Sequence, residues 1–353
     1  MVKWRRCKST LGTTPPAHCA REAGKGRSSL EILLLEDLAP DASQWLAARY
    51  RVDYRPELAH DRAALQAALY KVNAIVAPPS LKINSQLLDY APRLYVVARI
   101  HDGTENIDFE ACQKRHVRVI QASSATVRAS AEYLLSTLLQ LARQGVRRRR
   151  EPNEPPQPRR PGREINDSVV GLLGMSPPAH MLATMLVALG ARVVGYDPAV
   201  HRSADLWRRL GVQPMGLNEM LEVADGVSLQ MNYASRYRGL LNDRVLASCK
   251  RGQSWTSISR PALFDLPALA EALKDGRIYA FMMDSEDERL HEPDSPLAGL
   301  PNLRITPRLA PFTQESMLRG SWFLADRIHE ALAVGEMLAT HKPDDDSAPM
   351  PLT

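Results

Sequence analysis

The stretch 168–198, SVVGLLGMSPPAHMLATMLVALGARVVGYDP, constrains the fold of this chain more than any other. The apolar run 169–173 has the length and composition of a buried parallel strand. A turn follows, then an apolar pattern at helical spacing over 180–189, then a second apolar run, 192–196, closed by Asp197. Strand, turn, helix and strand in that order predict a βαβ unit, because parallel strands need a crossover connection. An acidic residue 23 positions after Gly174 completes the layout of a dinucleotide-binding unit. The turn departs from that pattern. Where such units read G-x-G-x-x-G, this one reads Gly174-Met175-Ser176-Pro177-Pro178-Ala179. Fold and binding chemistry can therefore part company here.

A length of 353 residues allows two domains of ordinary size, and 44% hydrophobic with 24% charged residues fits a globular protein. No apolar run approaches the roughly 18 residues of a membrane span, and no hydrophobic signal segment stands out. Cys7, Cys19, Cys112 and Cys249 lie far apart, so neither a zinc site nor a disulfide framework is expected, and a reducing cytoplasm is the expected compartment. The net charge of +5 is uneven. Residues 1–27 carry seven basic side chains against Glu22, and residues 147–163 carry seven arginines against Glu151 and Glu154. The remainder is mildly acidic. The two basic pieces read as a solvated tail and a solvated loop, so nucleic acid is not the expected partner.

The pattern predicts an α/β chain. Residues 1–29 read as a disordered basic tail. Strands are predicted at 32–35, 52–54, 74–77, 95–99 and 117–120, alternating with helices at 41–50, 61–70, 85–90 and 107–115; Asp41 is expected to start the first helix. A long helix covers 126–143, and prolines with arginines make 147–163 an exposed loop. After the βαβ unit, strands are predicted near 227–231, 253–258, 279–283 and 303–306, and helices near 204–210, 217–224, 243–247 and 266–274. A last helix spans 313–334 with Thr313 as its cap. A polar tail, 337–353, closes the chain.

Six stretches in this order resemble the D-isomer-specific 2-hydroxyacid dehydrogenases, the family that includes phosphoglycerate dehydrogenase and the C-terminal-binding-protein corepressors. Arg99-Ile-His-Asp-Gly-Thr-Glu-Asn-Ile-Asp108 resembles the family's R-x-G-x-G-x-D-N-I-D loop. Ala131-Glu132 resembles the A-E/D pair of the helix between domains, and 171–198 the cofactor unit. Ser257-Ile-Ser-Arg-Pro261 resembles N-x-x-R-G, Asp275-Gly-Arg-Ile278 with Met283-Asp284 resembles G-x-I…L-D, and Thr306-Pro-Arg-Leu-Ala310 resembles T-P-H-x-A. The resemblance covers about residues 31–336. It implies two doubly wound parallel-sheet domains. A flavodoxin-like substrate domain spans 30–123 and 313–336, and an inserted Rossmann domain for NAD spans 124–312. It also implies a small 2-hydroxy or 2-oxo acid as substrate and a homodimer joined through the cofactor domains.

Carried over residue by residue, the resemblance gives the carboxylate-binding arginine as Arg260. The histidine position holds Arg308. Its guanidinium stays protonated, so it exchanges no proton near neutrality. The glutamate position, five after Asp284, holds Arg289, with Glu288 one residue short. Loss of a general acid–base costs about 10²–10⁴-fold in rate. The substrate loop places His101, Asp102 and Gly103 near the acid. The cofactor residues are Gly174, Ser176, Pro177, Ala179, Asp197, Pro198, Ile258 and Asp284; Asp197 is the ribose partner, and Asp284 lies on the nicotinamide side. Pro177 and Pro178 remove two N–H groups from the helix turn that binds phosphate oxygens. The sequence therefore leaves alternatives open: an impaired NAD-dependent dehydrogenase; a non-catalytic descendant in which Arg260, Arg289 and Arg308 hold an anion such as a dicarboxylate or a phosphorylated metabolite; or a corepressor-like scaffold. No metal ligands are expected.

Overall fold

The computed structural model describes residues 28–100, 106–143 and 161–340. The tail 1–27, the loop residues His101, Asp102 and Gly103, most of the 147–163 segment and residues 341–353 lie outside the described residues.

The first half alternates β1 (Glu31–Leu34), α1 (Pro40–Ala47), β2 (Arg51–Tyr54), α2 (Arg62–Leu69), β3 (Ala74–Val76), α3 (Ser85–Leu88), β4 (Val96–Arg99), α4 (Phe109–Lys114) and β5 (Arg118–Gln121). Its strands are all parallel, in the order β2-β1-β3-β4-β5. That is the flavodoxin-like order, with its switch point between β1 and β3. The interior strands are buried on both faces, which explains continuous apolar runs such as Ala74–Val76. Asp61, Asn84 and Asp108 cap α2, α3 and α4 by accepting the backbone N–H three residues on, so the sequence marks those helix starts directly.

The long α5 (Val127–Ala142) leads to the second sheet. There β6 (Val169–Leu173), α6 (Pro177–Ala188), β7 (Arg192–Tyr196), α7 (Asp205–Arg209), β8 (Gln213–Pro214), α8 (Leu217–Val223), β9 (Gly226–Leu229), α9 (Asp243–Leu246), β10 (Gln253–Ser257), α10 (Leu266–Lys274), β11 (Ile278–Asp284) and β12 (Leu303–Thr306) follow. The strand order is β12-β11-β10-β9-β6-β7-β8, again all parallel. This is the Rossmann order with β12 added at one edge. Trp255, Phe264 and Phe281 pack as an aromatic cluster with centroids 5.4–6.2 Å apart and fix the β10–β11 pair whose ends carry the site.

Helix α5 packs on α6, β9 and β10, whereas the last helix, α11 (Gln314–Thr340), returns to pack on α1, β4 and β5. Three sequence expectations change in detail. Helix α1 begins at Pro40, and Asp41 lies in its first turn rather than capping it; the N–H of Ala39 donates instead to Ser321 Oγ of α11. Helix α11 runs through residues 337–340, which were expected to be tail, because Glu336, Met337, Leu338 and Ala339 are good helix formers and the next proline is Pro343. Ser28, inside the stretch expected to be tail, is anchored: its N–H donates to the Arg49 carbonyl at 2.8 Å. Thr313 does cap α11: its Oγ1 accepts from the Ser316 N–H while Ser316 Oγ accepts from the Thr313 N–H.

Candidate active site

The cofactor turn joins β6 to α6. Gly174 has φ +94°, and a Cβ there would lie 2.4 Å from Met231 Cα and 2.6 Å from Met231 N. Gln230 braces the turn from below, its Nε2 donating to the Gly174 carbonyl at 2.7 Å. Glycine is thus required by backbone conformation and by close approach. Gly174→Ala is expected to destabilise the protein by more than about 2 kcal/mol, read as a fall in denaturant midpoint.

Ser176 is the N-cap of α6, and its side chain makes no capping bond; Pro177 and Pro178 occupy the first two helical positions. The next N–H groups turn inward: Ala179 and His180 both donate to the Ser176 carbonyl, at 2.8 and 3.3 Å. The Met175 N–H donates to Asp197 Oδ2 at 2.7 Å, and Asp197 Oδ1 accepts from the Ala199 N–H at 2.7 Å. Most donors that would face a pyrophosphate are therefore missing or already engaged. Asp197 stands at the end of β7 where a ribose hydroxyl would meet it, with Pro198 exposed beside it. Ile258, just past β10, packs among the apolar side chains around α6.

Asp284 ends β11, and Arg260, Arg289 and Arg308 lie beyond the carboxyl ends of β10, β11 and β12, which are neighbours in the sheet. Ligands of open α/β sheets gather at such ends. Arg260 is half-buried, its guanidinium 5.1 Å from the Tyr233 ring centroid. Burial and the neighbouring Arg308 charge lower its pKa, and Asp287 opposes them. Arg308 sits at φ +46° in a tight turn. Asp284 builds that turn: its buried carboxylate accepts from Thr306 Oγ1 at 2.5 Å and from the N–H groups of Leu309 and Ala310 at 2.8 Å each. Asp284 is thus the clamp of the loop that presents Arg308, a role the sequence did not indicate.

Arg289 departs from the three-cation arrangement. It is exposed and grips Asp287 through Nε and Nη2 at 2.8 and 2.6 Å. Asp287 caps the short turn Glu288–Leu290, so its carboxylate is fixed beside Arg289 and holds it locally. That pairing keeps the Asp287 carboxyl below its usual range. Glu288 is exposed and opens the short turn that Asp287 caps.

Glu36 is a residue that sequence reasoning missed. It follows the apolar run of β1, at the carboxyl edge by the switch point of the first sheet, and its Oε1 accepts the Ile100 N–H at 3.5 Å. Burial raises its carboxyl to about 7, against the lowering effects of the Ile100 N–H and Arg99, with Asp37 adding to the rise. The unfolded chain, with a carboxyl near 4.5, holds that proton less tightly. Stability should therefore fall as pH rises from about 4.5 to 7, by at most about 3 kcal/mol. Glu36→Gln is expected to raise the melting temperature at pH 8 and to leave it unchanged at pH 4. Equal melting temperatures at pH 8 would contradict this reading.

A cavity of about 350 Å³ opens at the opposite, amino ends of β6, β9 and β10. Its rim carries Arg163 and Lys250, both paired with Asp225, so it is a structural junction at the wrong end of the sheet for chemistry. Among the described residues no group of three His, Cys, Asp or Glu side chains could hold a metal, and no helix is long and apolar enough to cross a membrane.

Comparison with known proteins agrees with this geometry. The family model described as D-isomer specific 2-hydroxyacid dehydrogenase, NAD binding domain, matches residues 134–310. The (S)-sulfolactate dehydrogenase of Chromohalobacter salexigens is 30% identical over 306 residues, covering 86% of this chain and 99% of its own length. The D-3-phosphoglycerate dehydrogenase of Mycobacterium tuberculosis is 32% identical over 310 residues, but this chain spans only 57% of it. The holo form of Rhodotorula graminis D-mandelate dehydrogenase superposes with a TM-score of 0.73 at 20% identity, over 86% of this chain and 94% of that one.

Proposed function

Because this chain belongs to the D-isomer-specific 2-hydroxyacid dehydrogenases, we propose that it is an NAD-linked member whose catalysis on a small 2-hydroxy or 2-oxo acid is impaired. The observation that carries this is Arg308, a permanent cation presented by the Asp284 clamp where the family has its histidine. Residues 30–123 and 313–336 serve as the substrate domain and 124–312 as the cofactor domain.

The NAD site fits in part. Gly174 makes the tight turn of the cofactor unit at φ +94°, and Asp197 stands ready for a ribose hydroxyl. At the diphosphate the fit is poor, since the prolines offer no N–H. The chemistry the cofactor supplies when bound is hydride transfer at carbon 2 of the acid. Arg260 holds the acid's carboxylate, a task suited to its planar fork. Neither Arg308 nor Arg289 can give the carbonyl oxygen a proton, and that is the missing step.

Calorimetry with NADH, followed by a panel of 2-oxo acids monitored by NADH absorbance, tests the reading. Binding weaker than micromolar with little or no turnover is expected, and turnover at ordinary dehydrogenase rates would overturn it. A fully non-catalytic anion- or partner-binding role, including a corepressor-like scaffold, is the second reading, favoured by the same arginine and prolines. A homodimer through the cofactor domains is supported by Leu139 of α5 and Val187 and Leu189 at the end of α6, each more than 40% exposed. Gel filtration eluting at monomer size would contradict it. The free, buried thiols of Cys112 and Cys249 suit a reducing cytoplasm.

A further inference from the structure

The cavity at the amino ends of β6, β9 and β10 lies about 15 Å, the length of a strand, from the cleft at their carboxyl ends. It takes no part in the chemistry, yet its volume of about 350 Å³ is that of a small-molecule site. One wall is the end of α5, with Leu138, Leu141 and Ala142, and Ile165 and Val170 extend the apolar lining. Two polar side chains of the lining are spent on the protein itself. Ser168 Oγ donates to the Ile165 carbonyl at 2.6 Å, and Gln253 Nε2 donates to the carbonyls of Leu221 and Ala224 at 2.9 and 2.7 Å. A ligand lying against this wall meets mostly carbon, so burial of apolar surface favours it.

The rim has the opposite character. Arg163 Nη1 and Lys250 Nζ both contact Asp225 Oδ1, the lysine at 2.7 Å. The other oxygen of Asp225 accepts the Val169 N–H at 3.0 Å. One carboxylate thus serves two cations. Arg163 keeps Nε and Nη2, and Lys250 keeps two of its three N–H groups, without a partner among the described residues. Glu164, the other acid of the lining, is exposed and joins neither pair.

We propose that this cavity binds a small monocarboxylate with an apolar body, its carbon chain along the α5 wall and its carboxylate between Arg163 and Lys250. The bound anion gives the two cations a second carboxylate and takes the N–H groups that Asp225 leaves over. A cationic head would instead meet two like charges.

Octanoate, butyrate and octylamine, titrated into the full chain by calorimetry, test this. Octanoate is expected to bind at least about tenfold more tightly than butyrate, because more methylene groups leave water, and at least about tenfold more tightly than octylamine. Lys250→Gln and Arg163→Gln should each weaken octanoate by about tenfold or more, the loss of one charge-assisted hydrogen bond. Ala142→Phe, which fills the cavity from its wall, should abolish binding. Should that variant fail to fold, the two rim variants decide alone, since both replace partly exposed side chains. Arg260→Gln should leave octanoate affinity unchanged, because the cleft lies at the other end of the strands. Affinity that survives the rim variants, or that falls with Arg260→Gln instead, would overturn the proposal. Equal binding of octanoate and octylamine, or no octanoate binding up to millimolar concentration, would overturn it as well.

Discussion

Replacing Pro177 and Pro178 by alanine is expected to tighten NADH binding by roughly 10²–10⁴-fold. The two prolines stand at the first two positions of α6, where a helix offers unpaired N–H groups to an anion. Each restored charge-assisted hydrogen bond is worth about 1.5–3 kcal/mol, and the two together give that range. Neither substitution should disturb the fold, because alanine is the best helix former and the turn is held independently by Gly174 and Gln230. Calorimetric titration of wild type and double variant checks this. An unchanged affinity would mean that the diphosphate does not use this helix end.

Restoring the proton donor should have the other large effect. Arg308→His is expected to raise turnover of a monocarboxylic 2-oxo acid by about 10²-fold or more, since general acid–base catalysis contributes about 10²–10⁴-fold. Histidine tolerates the positive φ of this position better than most residues, and the Asp284 clamp that shapes the turn uses only the Leu309 and Ala310 N–H groups and Thr306. Adding Arg289→Glu should bring a further gain only if Asp287 is also replaced, because its carboxylate would still accept the residue 289 N–H and would repel the new carboxylate. Steady-state rates of the single and double variants, with NADH saturating, decide it. A histidine variant no faster than wild type would mean that the lost donor is not the limiting defect.

The order of elements was readable because period and punctuation agree: the apolar runs 74–77, 169–173 and 192–196 end at Pro78, Gly174 and Asp197, and three of the short helices open on an Asp or Asn that caps them. The site was readable as positions but not as contacts. Arg260 and Arg308 fall where the motifs put them, yet nothing local shows that Asp284 folds the Arg308 turn. Its partners lie 22 to 26 residues away. Arg289 looked like a third cation for the cleft until the Asp287 cap placed a carboxylate on it. Glu36 gave no signal at all, since its raised proton affinity comes from burial beside Ile100, a neighbour 64 positions away.

The amino-acid order alone determined that this chain folds as two parallel α/β sheets, and that its phosphate-facing helix end has lost two N–H groups. Both follow from covalent facts, side-chain alternation and the proline ring, which no packing can alter. Which charges meet was decided only by the tertiary structure. Electrostatic strength depends on separation and burial, and those are set by strands β10, β11 and β12 lying side by side.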